Sequence, residues 1–164
     1  MTLLLTSIST PVGKLHVIAD RDIVLAANLS TLKSLRESLS EEDAAKEIKA
    51  VSKIPVISTL ITDYFDGDVR ALNSIQVRQP GGNFSQAAWK AMKKVPPGKV
   101  ISYAELAQKA GSPAAVRAAG SVCAKNAIVL IVPCHRIVKT GGSLGNYAYG
   151  LSKKVWLLRH EGAL

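Results

Sequence analysis

The sequence predicts a two-part α/β (α+β) chain. A small antiparallel sheet with a helix occupies residues 1–78, and a mostly helical domain built on a helix-turn-helix occupies residues 79–164. Three observations carry this reading. Residues 2–29 fall into three apolar stretches separated by turn residues. From Asn83 to Ala124, helix start and stop signals follow one another closely. Between these regions lies Pro80-Gly81-Gly82, a cluster that ends one pattern before the next begins.

The stretches LLLTSIS, KLHVIAD and IVLAANL, parted by Thr10-Pro11-Val12-Gly13 and Asp20-Arg21-Asp22, predict an antiparallel meander. Residues 31–50 are polar and charged, and read as a surface helix or loop. In KIPVISTLITDYFDG, the residues Ile57, Leu60, Ile61, Tyr64 and Phe65 recur at helical spacing up to a stop at Gly67. In the second half, Asn83 is placed to cap FSQAAWKAMKK, with Gln86 in the reciprocal position and Phe84, Ala88 and Met92 on one face. Pro96-Pro97-Gly98 stops that helix. Ser102-Tyr103-Ala104-Glu105 is a second capping box, and its short helix ends at Gly111. Ser112-Pro113 then opens the helix AAVRAAGSVCA, so two helices meet at a tight turn.

Charge separates the halves. Residues 1–78 hold nine Lys/Arg against ten Asp/Glu, and residues 79–164 hold twelve against two, Glu105 and Glu161. A strongly basic half joined to a neutral one suggests a polyanionic partner, although solubility alone also produces basic domains. No leader-like N-terminal pattern and no apolar run of about 20 residues is present, so the chain reads as cytoplasmic with reduced thiols. No zinc-type Cys/His spacing occurs, and no metal or cofactor is expected.

The helix AAVRAAGSVCA is mostly Ala, Gly and Ser, with Arg117 its one long basic side chain. Small side chains let a helix approach a partner closely, but they equally suit a tight core. A major-groove reader would carry several long polar side chains, and this helix does not.

AIVLIVPCHRIVKTGG aims an apolar run, expected to be a buried strand, at Cys134-His135-Arg136. A thiol acts as a nucleophile only as thiolate, and a neighbouring base supplies that form. Glu161, following the amphipathic SKKVWLLRH, is the acid available to orient the histidine. The plainer readings are a buried apolar cysteine and a surface acid. Arg136 is expected to be a structural tie, and Cys123 to be packing on the far side of Asn126.

PCHRIV, with Asn126 eight residues before the cysteine, resembles the active-site segment of the O6-alkylguanine-DNA alkyltransferases, the methylated-DNA–protein-cysteine methyltransferases. PPGKVISYAELAQKAGSPAAVRAAG and GNYAYGLSKKVWLLRHEGAL are similar to that family's helix-turn-helix and to its active-site loop with the last helix. The likeness is strong over residues 82–164. It is weak before them, through TPVGKL and DYFDGD.

The resemblance implies a ribonuclease H-like N-terminal domain with a structural role and a winged helix-turn-helix C-terminal domain. It implies minor-groove binding, base flipping, and irreversible single-turnover transfer of an alkyl group from O6 of guanine, with O4 of thymine a second candidate, to Cys134. His135, through a water, would take the thiol proton, and Glu161 would hold His135. Asn126 would tie the helix-turn-helix to the active-site turn. Tyr103 would donate to the departing guanine, and Arg117 would fill the gap left by the flipped base. Ala114, Ala118, Gly120 and Ser121 would lie along DNA. Tyr147, Ala148, Tyr149, Ile137 and Lys154 would form the substrate pocket, with the Cys134 and Ile137 carbonyls accepting from the guanine amino group. Tyr149 stands where several members have Gly, so slow reaction with bulky free bases is expected. The expected partner is duplex DNA carrying O6-alkylguanine, with no membrane. The protein is expected to be a monomer in solution, and cooperation between copies on DNA stays open. A non-catalytic alkyltransferase-like lesion sensor is the alternative, which Cys134 itself argues against.

Overall fold

In a computed structural model, residues 2–164 are described, and the chain forms two compact units. The first comprises Met1–Pro80 with Ala127–Ile131, and the second Gly81–Asn126 with Val132–Leu164. No helix among the described residues is long and apolar enough to cross a membrane.

The first unit is built on a five-stranded sheet. Strands β1 (Thr2–Thr10), β2 (Gly13–Asp20) and β3 (Ile23–Asn28) form the expected antiparallel meander. Residues 31–50 contain α1 (Leu32–Glu37), α2 (Glu41–Ala44) and an edge strand β4 (Glu47–Ala50) parallel to β1. Helix α3 (Ile57–Phe65) follows, then β5 (Gln76–Val77) parallel to β3, giving the order β4-β1-β2-β3-β5. Leu3, Leu5, Ile18, Leu25 and Ala26 pack with Leu35 and Leu39 as one core. This explains why Leu35 is the buried residue of the otherwise exposed α1. Val56 enters α3 at φ +67, and the Ile57 N–H donates to the Pro55 carbonyl at 2.7 Å. That is a γ-turn in its rarer, strained form, here centred on a β-branched residue.

The apolar run before Cys134 differs from the expected strand. Ile128 makes a single parallel bridge to Ala27, framed by Ala27 N–H to Ala127 O at 2.9 Å and Val129 N–H to Ala27 O at 3.0 Å. The chain then turns at Leu130, with φ +74, and the Ile131 N–H donates to the Val129 carbonyl at 2.8 Å. Burial of residues 128–132 obliges their backbone groups to pair, and tight turns meet that need where no further partner strand runs alongside.

In the second unit, α4 (Asn83–Lys93) packs against α5 (Tyr103–Lys109) and α6 (Val116–Ala124). Two expected caps are corrected. Gly82, not Asn83, is the N-cap of α4, and Gln86 reaches the Gly81 carbonyl at 3.3 Å instead of closing a capping box. Gly81 itself lies against the Trp89 ring, where an added Cβ would come within 2.7 Å. Helix α6 starts at Val116, after a turn closed by Ala115 N–H to Ser112 O at 2.9 Å, so Ser112-Pro113 opens the turn and not the helix. The Ser102–Glu105 capping box is present, with its two bonds at 3.0 and 3.2 Å. A parallel pair, β6 (Ile101–Ser102) with β7 (Ile137–Val138), and the last helix α7 (Leu151–His160) complete the unit.

Candidate active site

The β6–β7 pair positions the site. Its register, Ile101 to Ile137 and Ser102 to Val138, sets the Cys134–Arg136 turn beside the start of α5, where Tyr103 stands. Pro133, at φ −83 and ψ 69, directs the Cys134 N–H back to the Val132 carbonyl at 2.9 Å in an inverse γ-turn. The Arg136 N–H then closes on the Pro133 carbonyl at 3.0 Å, making a single tight 3₁₀ turn. Pro133 is therefore used twice, for its fixed φ and for its carbonyl.

Cys134 is 8% exposed and lines a cavity of about 620 Å³, a size suited to a small-molecule group. Tyr103, Arg117, Gly120, Ser121, Tyr147 and Ala148 from the expected set share its wall. Ala114, in the turn before α6, and Ala118, within α6, are exposed and do not line it. Tyr149 is also outside the lining and packs edge-on to Tyr147, with ring centres 5.7 Å apart. Arg117 and Ser121 are exposed, while Ala119 and Val122 of the same helix are buried, so α6 turns its long basic arm outward.

Behind the thiol lies a buried ionic knot. The Glu161 carboxylate accepts from Arg136 Nε at 2.8 Å and Arg136 Nη2 at 2.9 Å, and pairs with His135 Nε2 at 2.8 Å. Arg136 Nη1 donates to the Val95 carbonyl at 2.7 Å, which confirms the arginine as a tie. Burial alone would raise the Glu161 pKa, but its bonds to His135 and Arg136 and their charges hold it well below the usual carboxylate range. Burial pushes the His135 pKa down despite the Glu161 bond, and the Arg136 charge pushes the same way. The ring is therefore neutral, and with Glu161 ionised, Nε2–H is the donor and Nδ1 the acceptor. Nδ1 is buried and has no hydrogen-bond partner among the described residues.

Burial also pushes the Cys134 thiol up, more than the Asn126 hydrogen bond and the Lys154 charge pull it down. The resting cysteine is a neutral thiol. Asn126, just past α6, donates to the Val132 carbonyl at 2.8 Å, so one side chain joins the end of the helix to the active-site turn. Burial pushes the Tyr103 pKa up and keeps its hydroxyl protonated. Its ring rests against Gly145, where a Cβ would stand 3.1 Å from it and where φ is +73.

Three features were missed or placed differently by sequence reasoning. Lys154 is fully buried and does not line the cavity. Its ammonium donates to the carbonyls of Ile137 at 2.7 Å and Asn146 at 3.1 Å, clamping the loop. Ile137 is likewise fully buried and outside the lining, its carbonyl engaged by that lysine, and the Cys134 carbonyl accepts the Ile137 N–H. Cys123, expected only to pack, also lines the same cavity as Cys134, with burial first among the causes that push its pKa up to about 12. A signal for Lys154 was present. Lys154, Leu157, Leu158 and Glu161 recur at helical spacing and are all buried, so one charge sits on the apolar face of α7 and a second continues that face at the C-cap.

Residues 83–163 match the family described as 6-O-methylguanine DNA methyltransferase, DNA binding domain. The methylated-DNA–protein-cysteine methyltransferase of Salmonella typhimurium is 32% identical over 169 residues, spanning 100% of this chain and 98% of that protein. The human protein of the same name is 49% identical over 77 residues, 47% of this chain and 37% of its own length. Among solved structures, Mycobacterium tuberculosis OGT in complex with DNA superposes with a TM-score of 0.79 at 27% identity, covering 98% of this chain and 93% of that one. With its Cys134 turn, its helix-turn-helix and full-length similarity of this kind, the chain belongs to the methylated-DNA–protein-cysteine methyltransferase family.

Proposed function

We propose that this DNA-binding methyltransferase of DNA repair uses Cys134 as the acceptor of an alkyl group from O6 of guanine, once per protein molecule. The carrying observation is a neutral thiol in the wall of a 620 Å³ cavity that Arg117 and Ser121 of α6 also line. A base buried in a duplex cannot reach such a thiol, so the damaged nucleotide turns out of the stack into the cavity. Arg117, the long arm of α6, fills the space it leaves, which offsets part of the unstacking cost. An Ala/Gly/Ser helix fits closely in a narrow groove and reads little sequence, as suits a search for damage.

The thiol proton passes through a water to Nδ1 of His135, while Glu161 holds Nε2–H and balances the imidazolium that forms. The Cys134 Sγ–carbon bond forms as the carbon–O6 bond breaks. Guanine leaves as an anion steadied by a hydrogen bond from the Tyr103 hydroxyl, which burial keeps protonated, and becomes neutral by taking up, through water, the proton held on His135. The product is a stable thioether. Cys123, held as a thiol by burial, is no route to its removal, so each molecule acts once. O4 of thymine presents the same alkoxy carbon and is a second candidate substrate.

The test uses duplex DNA containing O6-methylguanine and reads the mass of the Cys134 peptide. One added methylene on that peptide, lost in Cys134→Ser, is expected. Unchanged protein mass with repaired DNA, or transfer persisting in Cys134→Ser, sinks the reading.

A further inference from the structure

A second basic surface lies apart from the cavity. Lys90 of α4, Lys94 at its C-cap, Lys99 before β6 and Lys109 at the end of α5 surround a groove of about 460 Å³. Ala87, Ala91, Val95, Pro96 and Ile101 form its apolar floor. All four lysines are exposed, and the groove shares no residue with the active-site cavity. Residues 79–164 offer two acids to balance them, and both are committed elsewhere. Glu105 closes the capping box and Glu161 the knot at His135 and Arg136. Lys90 and Lys94 are like charges one helical turn apart, which disfavours the helix that carries them. Helix C-termini favour cations. That accounts for Lys90 and Lys94 at the end of α4 and Lys109 at the end of α5 singly, but not for Lys99 or for the convergence of all four around one acid-free concavity.

We propose that this groove binds the phosphate backbone of a second duplex, distinct from the one held at α6. The inference rests on the DNA-repair reading above. Four ammonium groups above an apolar floor match phosphates flanking deoxyribose, and each contact releases condensed counterions. Helix α5 joins the two surfaces. Tyr103 at its start lines the cavity and Lys109 at its end lines the groove, about 10 Å apart for seven residues. A protein holding two duplexes passes between them without a free intermediate, which speeds the search for rare lesions.

The experiment preloads the full chain on a fluorescent duplex and follows its release after adding unlabelled duplex at rising concentration. In wild type, release accelerates roughly in proportion to competitor, the mark of direct transfer. The Lys90→Glu/Lys94→Glu variant releases at a rate independent of competitor, and Lys99→Gln/Lys109→Gln shows a reduced slope. Release independent of competitor in wild type, or a full slope in the charge-reversed variant, overturns the proposal. So does polyglutamate accelerating release as well as DNA does, since that assigns the groove to an acidic polypeptide. Methyl transfer from a short duplex at saturation is read in the same samples. It stays at the wild-type level in both variants if only the groove is affected, whereas its absence in wild type condemns the repair reading itself.

Discussion

Each unit contains a carboxylate held by an arginine, and the surroundings make them different devices. In the first, Asp43 accepts from Arg78 Nη2 at 3.0 and 3.2 Å and from Lys46 at 2.8 Å, with the Arg78 side chain 47% exposed. In the second, the Glu161 side chain is 0% and Arg136 5% exposed, and a histidine completes the set. Water competes for the first knot and screens it. The second has no competitor, so its charges must satisfy one another. That difference separates a surface tie from a catalytic support. Only the dry knot can hold an imidazole neutral, fix its tautomer and present its other nitrogen as a base.

The largest expected effect comes from breaking the buried knot. Glu161→Gln leaves Arg136 without its charge partner, and a loss of about 3–5 kcal/mol in unfolding free energy is expected. Methyl transfer in the protein that stays folded falls about 100-fold, because the base loses its orienting acceptor. Chemical denaturation and single-turnover kinetics measure the two, and a variant near wild type in both removes the distinction drawn here. Acid should expose the same knot next. The His135 pKa lies below 6.5 when folded, so below that value the unfolded chain takes a proton that the folded chain refuses. Stability then falls as pH drops through about 6.5, and falls further below 4.5, where unfolded Glu161 protonates while folded Glu161 does not. A melting temperature constant between pH 7 and pH 5 contradicts this.

Cys134, His135 and Arg136 are consecutive, so their chemistry is visible in a single line of sequence. Glu161 stood out because its half of the chain is so poor in acids. The meander was legible from turn residues and alternation, and α5 from a capping box whose two bonds are local. What stayed hidden depends on distant partners. The run before Cys134 has strand composition, but it meets one bridge partner and then turns at Leu130. Cys123 and Cys134 are eleven positions apart, and only the fold brings them to one cavity. Asp43 looked like one more acid among Glu41 and Glu42, and Arg78, far along the chain, singles it out.

The knot at Asp43, whose carboxylate is buried but whose cations reach water, should respond more weakly. Asp43→Asn is expected to cost clearly less than Glu161→Gln, because Arg78 and Lys46 keep water as a second partner, and part of that cost is gone in high salt. A loss as large as that for Glu161→Gln, measured by the same denaturation, would erase the contrast between the units. A small gain should come from the strained γ-turn: Val56→Gly relieves φ +67 at an exposed site and raises the melting temperature slightly. A lowered melting temperature would show that the turn is not strained.

The account turns most directly on the state of the His135 ring. Nitrogen-15 NMR of the imidazole across a pH titration reads both its charge and its tautomer. The expected result is a neutral ring at pH 7 carrying its proton on Nε2, with a pKa below 6.5 and Nδ1 free to accept. A doubly protonated ring at pH 7, or a proton resident on Nδ1, would contradict the claim that the buried knot prepares the base for Cys134.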